Sequence, residues 1–214
     1  MRQHEVLHII TAIIVLTVVT SFSSLLNKQW QSVPQFLVFS AILVILVVAA
    51  RKAMAHMLES GVEHRLWTIS RWGLPQQAHL KKEIPAGIII PLVVSFFTLG
   101  AAKLMTLLEY ETTAKKTRAM RTFGAYTYTS MTDWHNALIG AAGIVAALVI
   151  SFVSYFIPLA GSETLAKLAA YYAFSNMIPY SRLDGSQIFF GSRVLWTTLV
   201  IVSVIFTGYA LILR

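Results

Sequence analysis

The chain has 214 residues, of which 57% are hydrophobic and only 12% are charged, whereas about 25% of residues are charged in an average soluble domain. This leaves too little polar surface for a water-soluble globule, so the composition predicts a polytopic membrane protein. The net charge of +8 then reports orientation and contact with anionic lipid rather than nucleic-acid binding. The chain has no cysteine, which excludes disulfides and leaves His, Asp and Glu as candidate metal ligands.

Apolar runs interrupted by proline, glycine and charged residues predict an all-α fold with about six membrane-spanning helices. The predicted spans cover residues 9–26, 35–50, 84–108, 136–159, 165–178 and 194–213. A helix needs about 20 residues to cross the hydrocarbon core, so the fifth run is short for a span. We expect one membrane domain over residues 1–214, with an extra N-terminal span within 1–33 and a C-terminal span within 194–214.

Two long polar connections separate the second, third and fourth predicted spans. Residues 51–83 hold six Lys or Arg and residues 109–135 hold four. The positive-inside rule therefore places residues 51–83, and with them the N-terminus, in the cytoplasm, by a small margin. We expect an integral protein of a prokaryotic plasma membrane. Within the second connection, residues 123–131 are rich in Tyr and Thr and predict a short β-hairpin.

The stretch from Asn176 to Gly185 separates the fifth and sixth spans and contains Asp184, one of two Asp in the chain. An Asp between apolar segments of membrane length is costly to bury, and by default it marks a functional site. Pro179 and Gly185 interrupt the helix, and broken helices at membrane depth usually line a polar cavity. The alternative is a surface loop in which Asp184 only caps the next helix.

The same stretch reads Asn-x-x-Pro-x-x-x-Leu-Asp-Gly and resembles the third core motif of the site-2 protease family, the intramembrane zinc metalloproteases. The matching residues are Asn176, Pro179, Leu183, Asp184 and Gly185. The resemblance implies that Asp184 is a zinc ligand and that the other four residues form its framework. It also implies two further ligands from a His-Glu-x-x-His helix.

A literal His-Glu-x-x-His is formed by His4, Glu5 and His8. This spacing puts both histidines on one helical face, with a carboxylate beside them that can act as a general base. In this frame the resemblance implies that His4, His8 and Asp184 bind zinc and that Glu5 activates water. The motif lies at the mouth of the first span, however, whereas the metal helix of the family lies inside the membrane.

The second span offers another frame, which resembles divergent, archaeal-like members of the family. His56 ends this span and is followed by Glu-His-Arg-Leu-Trp at residues 63–67. The resemblance aligns His56 with the second ligand histidine, Lys52 with the first and Ala53 with the catalytic Glu. This metal helix is degraded, because it lacks the base and carries a cation in place of a ligand. In this frame Lys52 is the expected ion-pair partner of Asp184.

Three functions follow from these patterns. The leading hypothesis is a catalytically degenerate protein with a site-2-protease-like core over residues 35–200, without zinc, that binds other transmembrane proteins or helices as a scaffold or complex subunit. The second is an active intramembrane zinc protease that cleaves transmembrane helices. The third is a small channel or transporter subunit in which Asp184 lines the permeation or binding site.

Two further patterns concern the packing of the fourth span and the exposure of three histidines. Gly140 and Gly143, with neighbouring alanines, make a smooth face on the fourth span that permits close helix contact. His64, His79 and His135 fall in polar connections, and we expect them to be interfacial or solvated.

Overall fold

The computed structural model of the protein describes residues 3–71, 79–115, 131–157 and 161–212. This part of the chain is mostly helical and carries two small antiparallel sheets. The helices are α1 (Gln3–Leu26), α2 (Val33–Met57), α3 (Ala86–Phe97), α4 (Asp133–Phe156), α5 (Ser162–Asn176), α6 (Asp184–Gly191) and α7 (Arg193–Ile212). The strands are β1 (Ser60–Leu66), β2 (Ile69–Arg71), β3 (His79–Ile84) and β4 (Leu108–Ala114).

Four described helices are long and apolar enough to cross a membrane. They are His4–Leu26, Trp30–Met57, Asp133–Phe156 and Arg193–Ile212, and they correspond to the first, second, fourth and sixth predicted spans. The second of these includes the short 3-10 turn Trp30–Ser32 that leads into α2. The predicted fifth span is α5, which has only 15 residues. The described residues therefore support a membrane protein with four candidate spans rather than six.

The predicted third span, 84–108, is not one continuous helix. Its helix, α3, has 12 residues and contains Pro91, and the chain then turns through Leu99 and Gly100, both at positive φ. From there residues 101–107, which form neither helix nor strand, lead to β4, with Met105 fully buried. Asn176 Nδ2 donates to the Met105 carbonyl at 3.2 Å, which satisfies a buried backbone acceptor outside regular secondary structure.

The strands are a correction to the all-α prediction. β1 pairs antiparallel with β4, from Ser60 opposite Ala114 to Leu66 opposite Leu108, and β2 pairs with β3. Because β1 follows α2 and β4 precedes α4, this pairing brings both polar connections to the same end of the helices. We call it the sheet end. The hairpin predicted at residues 123–131 lies outside the described residues.

Helix α5 packs antiparallel between α4 and α7. Ser151 of α4 donates to the Ala166 carbonyl at 2.8 Å, and Thr207 of α7 approaches the Ala170 carbonyl at 3.3 Å. At the other end of α7, the Trp196 indole donates to the Met177 carbonyl at 3.1 Å. The Asn176–Gly185 stretch therefore lies at the sheet end, where it meets the end of α2.

Candidate functional site

Asp184 is the first residue of α6 and is fully buried. The loop that precedes it turns at Ser181, which has a φ of 55°, and then runs through the buried, extended Leu183. Gly185 lies against the backbone of this loop, because a Cβ there would stand 2.7 Å from the Ile178 carbonyl oxygen. The motif thus folds tightly back on itself, with Pro179 exposed and the carboxylate of Asp184 directed into the protein.

The partner of Asp184 is Arg51 of α2. Its Nη2 donates to Asp184 Oδ2, and both side chains have no solvent exposure. The guanidinium carbon also lies 5.3 Å from the centre of the Tyr110 ring, a cation–π distance. On the α4 side, Gly143 makes room for the arginine, because a Cβ there would stand 3.1 Å from Arg51 Cγ and closer still to Nε.

This pair satisfies only part of its hydrogen-bonding capacity. Arg51 Nε and Nη1 and Asp184 Oδ1 have no hydrogen-bond partner among the described residues. Tyr110 donates its hydroxyl to the Asn136 carbonyl at 2.7 Å, and burial raises the pKa of this tyrosine well above its usual value. It therefore stays a neutral phenol. The site holds a guanidinium against a carboxylate with no solvent exposure of either side chain, so each charge depends on the other.

A second polar cluster adjoins the first at Lys52. Lys52 Nζ lies 2.8 Å from Glu5 Oε1, and the same oxygen lies 3.1 Å from His64 Nδ1 and 3.3 Å from the His64 backbone nitrogen. Glu5 and His64 are both buried. The predicted Lys52–Asp184 pair is therefore corrected, because Arg51 meets Asp184 and Lys52 meets Glu5. These contacts fasten the first turn of α1 to α2 and β1.

His64 was expected to be interfacial or solvated, and it is fully buried on β1. Burial lowers its pKa to about 4, and the positive charge of Arg51 acts in the same direction against the opposing effect of Glu5. The imidazole is therefore neutral at pH 7. Its Nε2 has no hydrogen-bond partner among the described residues.

The residues proposed as zinc ligands are not brought together. His4 and His8 share a cavity of about 230 Å³ with Glu5 and His64, whereas Asp184 is bonded to Arg51. His56 is exposed near the end of α2. Among the described residues, no group of three or more His, Asp or Glu is arranged to hold a metal ion. The side chains present therefore do not fit the zinc centre of either predicted frame.

The sequence marked Arg51 only as a basic residue of a connection. The helical periodicity of α2 gave a partial signal for its role. Leu43, Val47, Arg51 and Ala55 recur every four residues and are all buried, and residues at i and i+4 share a helix face. The buried Ser40, Val44 and Val48 form a parallel stripe that continues to Lys52 and His56. Periodicity alone therefore does not select Arg51 over Lys52.

The geometry supports charge pairing and tight packing at the Asn176–Gly185 stretch. It pairs the carboxylate of Asp184 with an arginine and that of Glu5 with a lysine. The neutral imidazole of His64 adds a hydrogen bond to Glu5. Comparison of the chain with protein-family models, with curated proteins and with solved structures finds no match.

Proposed function

We propose that the protein is a catalytically degenerate, site-2-protease-like membrane protein that binds other transmembrane segments as a scaffold or complex subunit. The buried Arg51–Asp184 pair carries this proposal. Asp184 occupies the ligand position of the motif, and the positive charge beside it comes from a guanidinium. A buried carboxylate needs such a partner, so the pair accounts for keeping the Asp without a metal.

The positions of the side chains favour a motif frame one residue earlier than the sequence suggested. The ligand histidines of His-Glu-x-x-His are four residues apart on one face. Arg51, which meets Asp184, has this spacing to the buried Ala55. In this frame Arg51 occupies the position of the first ligand, Lys52 that of the general base and Ala55 that of the second ligand. None of the three can perform the chemistry of the residue it replaces.

The binding role is supported by the uncovered apolar surface of α7. Only 11% of its most apolar stretch is buried by the rest of the chain, compared with 56% for α4. Gly208 lies on this open surface, since a Cβ there would have no atom within 4 Å. Small residues allow helices to approach closely in membranes. We therefore assign α7 as the contact for a transmembrane partner.

Zinc content of the detergent-solubilised protein tests the degenerate centre. We expect no bound zinc in the unmodified protein by elemental analysis. About one zinc per chain that is lost in both Asp184→Ala and His4→Ala would overturn the proposal. It would instead favour an active intramembrane metalloprotease that uses the N-terminal motif.

Photo-crosslinking in native membranes tests the partner. A photoreactive residue at Ile205, which is exposed on α7, should give a discrete protein adduct, and one at the exposed Thr113 on β4 serves as the control. Adducts to lipid alone at Ile205 would contradict the assignment of α7. Ion flux in proteoliposomes that Asp184→Asn abolishes would instead support a channel or transporter subunit.

The proposed orientation places the sheet end in the cytoplasm. The described parts of both basic connections meet at this end through the β1–β4 pairing, so the positive-inside rule favours the same side for both. Because the chain has no cysteine, single cysteines at Glu59 and Lys28 can be labelled selectively. Labelling of Lys28→Cys, but not Glu59→Cys, from outside intact cells is the expected result, and the reverse pattern would overturn it.

A further inference from the structure

A second polar cavity lies at the opposite end of the helices from Arg51 and Asp184. It has a volume of about 230 Å³ and lies between α1, α2, α5 and the segment 101–107 after α3. Two lysines line it, Lys103 on this segment and Lys167 on α5. Thr164 and Tyr171 add hydroxyl groups to its wall, and Thr20 also lines it but donates its hydroxyl to the Leu16 carbonyl of its own helix.

Both lysines line the same cavity, and no carboxylate is among the residues that line it with them. Burial lowers the pKa of Lys103, and the charge of Lys167 acts in the same direction. Among the described residues neither lysine forms an ion pair, and the acid nearest along α5, Glu163, is exposed. Two like charges in a partly buried cavity repel each other, and an anion between them would offset this cost.

The donors around the cavity suit a phosphate group. Thr164, Lys167 and Tyr171 recur at helical spacing and so share one face of α5, opposite Lys103. Two ammonium groups and the hydroxyls of Thr164 and Tyr171 can together satisfy the oxygens of one phosphate with charge-assisted hydrogen bonds. Thr164 also lies in the first turn of α5, where the helix dipole favours negative charge.

The place of the cavity in the membrane suggests where such a phosphate comes from. This end of the bundle holds the α1–α2 turn, the end of α3 and the beginning of α5, so the cavity lies where span-length helices reach the headgroup region. We propose that Lys103 and Lys167 form a binding site for a phosphate-bearing anion, either a lipid headgroup or free phosphate. This proposal does not depend on the function assigned to Asp184.

The test uses delipidated protein in detergent, with thermal unfolding and native mass spectrometry as readouts. The probes are phosphatidylglycerol, phosphatidylcholine and inorganic phosphate. A stabilising shift with phosphatidylglycerol but not phosphatidylcholine supports the site with a lipid source. A shift with inorganic phosphate alone supports it with a soluble source. No binding of any probe would overturn the proposal.

Matched variants locate the effect. Lys103→Gln and Lys167→Gln should each weaken binding of the effective probe about tenfold, as expected for the loss of one charge-assisted hydrogen bond. Lys103→Arg should keep the binding. Lys28→Gln changes an exposed lysine at the same end and should have no effect. Unchanged affinity in both glutamine variants, or an equal loss in Lys28→Gln, would overturn the assignment.

A second readout does not require the anion. Because removing one of two repelling charges relieves the cavity, Lys103→Gln should raise the unfolding temperature of the anion-free protein. A lysine that served only to stabilise the fold would give the opposite shift, and that result would contradict a site built for an anion.

Discussion

Arg51 and Asp184 are 133 positions apart in the chain and meet as a fully buried ion pair. Removing one partner leaves an uncompensated charge in a dry site, so Arg51→Met or Asp184→Leu alone should each destabilise the protein by about 3–5 kcal/mol. The double variant should cost less than the sum of the single variants, because neither charge remains. Thermal unfolding of the four proteins in one detergent gives the coupling. Additive effects would show that the two groups do not interact.

The close approach of α2 to α4 depends on Gly143. A methyl group there would collide with the Arg51 side chain, which is itself held by Asp184 and cannot move away freely. Gly143→Ala should therefore cost about 1–3 kcal/mol, as overpacking usually does. Gly208→Ala is the matched control, since its Cβ would meet no atom within 4 Å. It should be neutral or slightly stabilising through helix propensity. Equal effects of the two substitutions on unfolding temperature would contradict this account.

The helices that are apolar along their whole length were predicted from the sequence. The prediction failed for segments whose burial depends on tertiary contacts. Residues 84–108 were predicted to form one span because hydropathy does not distinguish a membrane helix from a short helix followed by a buried segment that is not helical. Pro91 and Gly100 were visible in that run, but either is tolerated inside a membrane helix. The Met105 carbonyl accepts a hydrogen bond from Asn176, which is 71 positions away in the chain. No local sequence pattern predicts this contact.

Of the two charged residues of the candidate site, Asp184 was predicted from the sequence, and its partner was predicted one residue away from its actual position. The motif identified Asp184 correctly as a buried polar centre, because its cost in apolar surroundings is a local property of the sequence. Its partner was assigned to Lys52 from an alignment frame, whereas Arg51 makes the contact. Both residues continue buried stripes of α2, so helical periodicity does not separate them. Adjacent residues on a helix point about 100° apart. The prediction was one position too far along α2. It therefore named Lys52, the partner of Glu5, instead of Arg51, the partner of Asp184.

The low pKa of His64 makes stability depend on pH. The folded protein keeps this imidazole neutral down to about pH 4, whereas the unfolded chain binds a proton near 6.5. The unfolded state thus holds more protons between these values, and stability should fall as pH drops from 6.5 toward 4, by about 1–3 kcal/mol. His64→Asn should flatten this part of the curve of unfolding temperature against pH. His56→Asn changes an exposed histidine and should leave the curve unchanged.

Glu109 gives a pH dependence of the opposite sign. Burial raises the pKa of this β4 carboxyl to about 7, and Arg182 only partly opposes the shift. The folded state then keeps a proton that the unfolded chain releases near 4.5, so stability should fall as pH rises from 4.5 through 7. Glu109→Gln should remove this loss and stabilise the protein at pH 8. A variant curve parallel to that of the unmodified protein would contradict the shift.

The proposal that α2 is a degraded metal helix with Arg51 and Ala55 at the ligand positions can be tested by restoring histidines there. If the ligand positions are Arg51 and Ala55, then Arg51→His with Ala55→His places two imidazoles four residues apart on the buried face, beside the carboxylate of Asp184. Two His and one Asp form a ligand set suited to zinc. The double variant should therefore bind about one zinc per chain by elemental analysis, and adding Asp184→Ala should abolish it. The zinc should also raise the unfolding temperature, since a ligand that binds only the folded state stabilises it.

The competing register provides the control. Lys52→His creates a histidine pair with the native His56, at the same spacing but on a face where His56 is exposed and Lys52 contacts Glu5. This variant should bind no zinc that depends on Asp184. Zinc in Lys52→His but not in the Arg51→His, Ala55→His protein would return the frame to Lys52 and His56. It would also show that the Arg51–Asp184 pair is a structural contact unrelated to a former metal site.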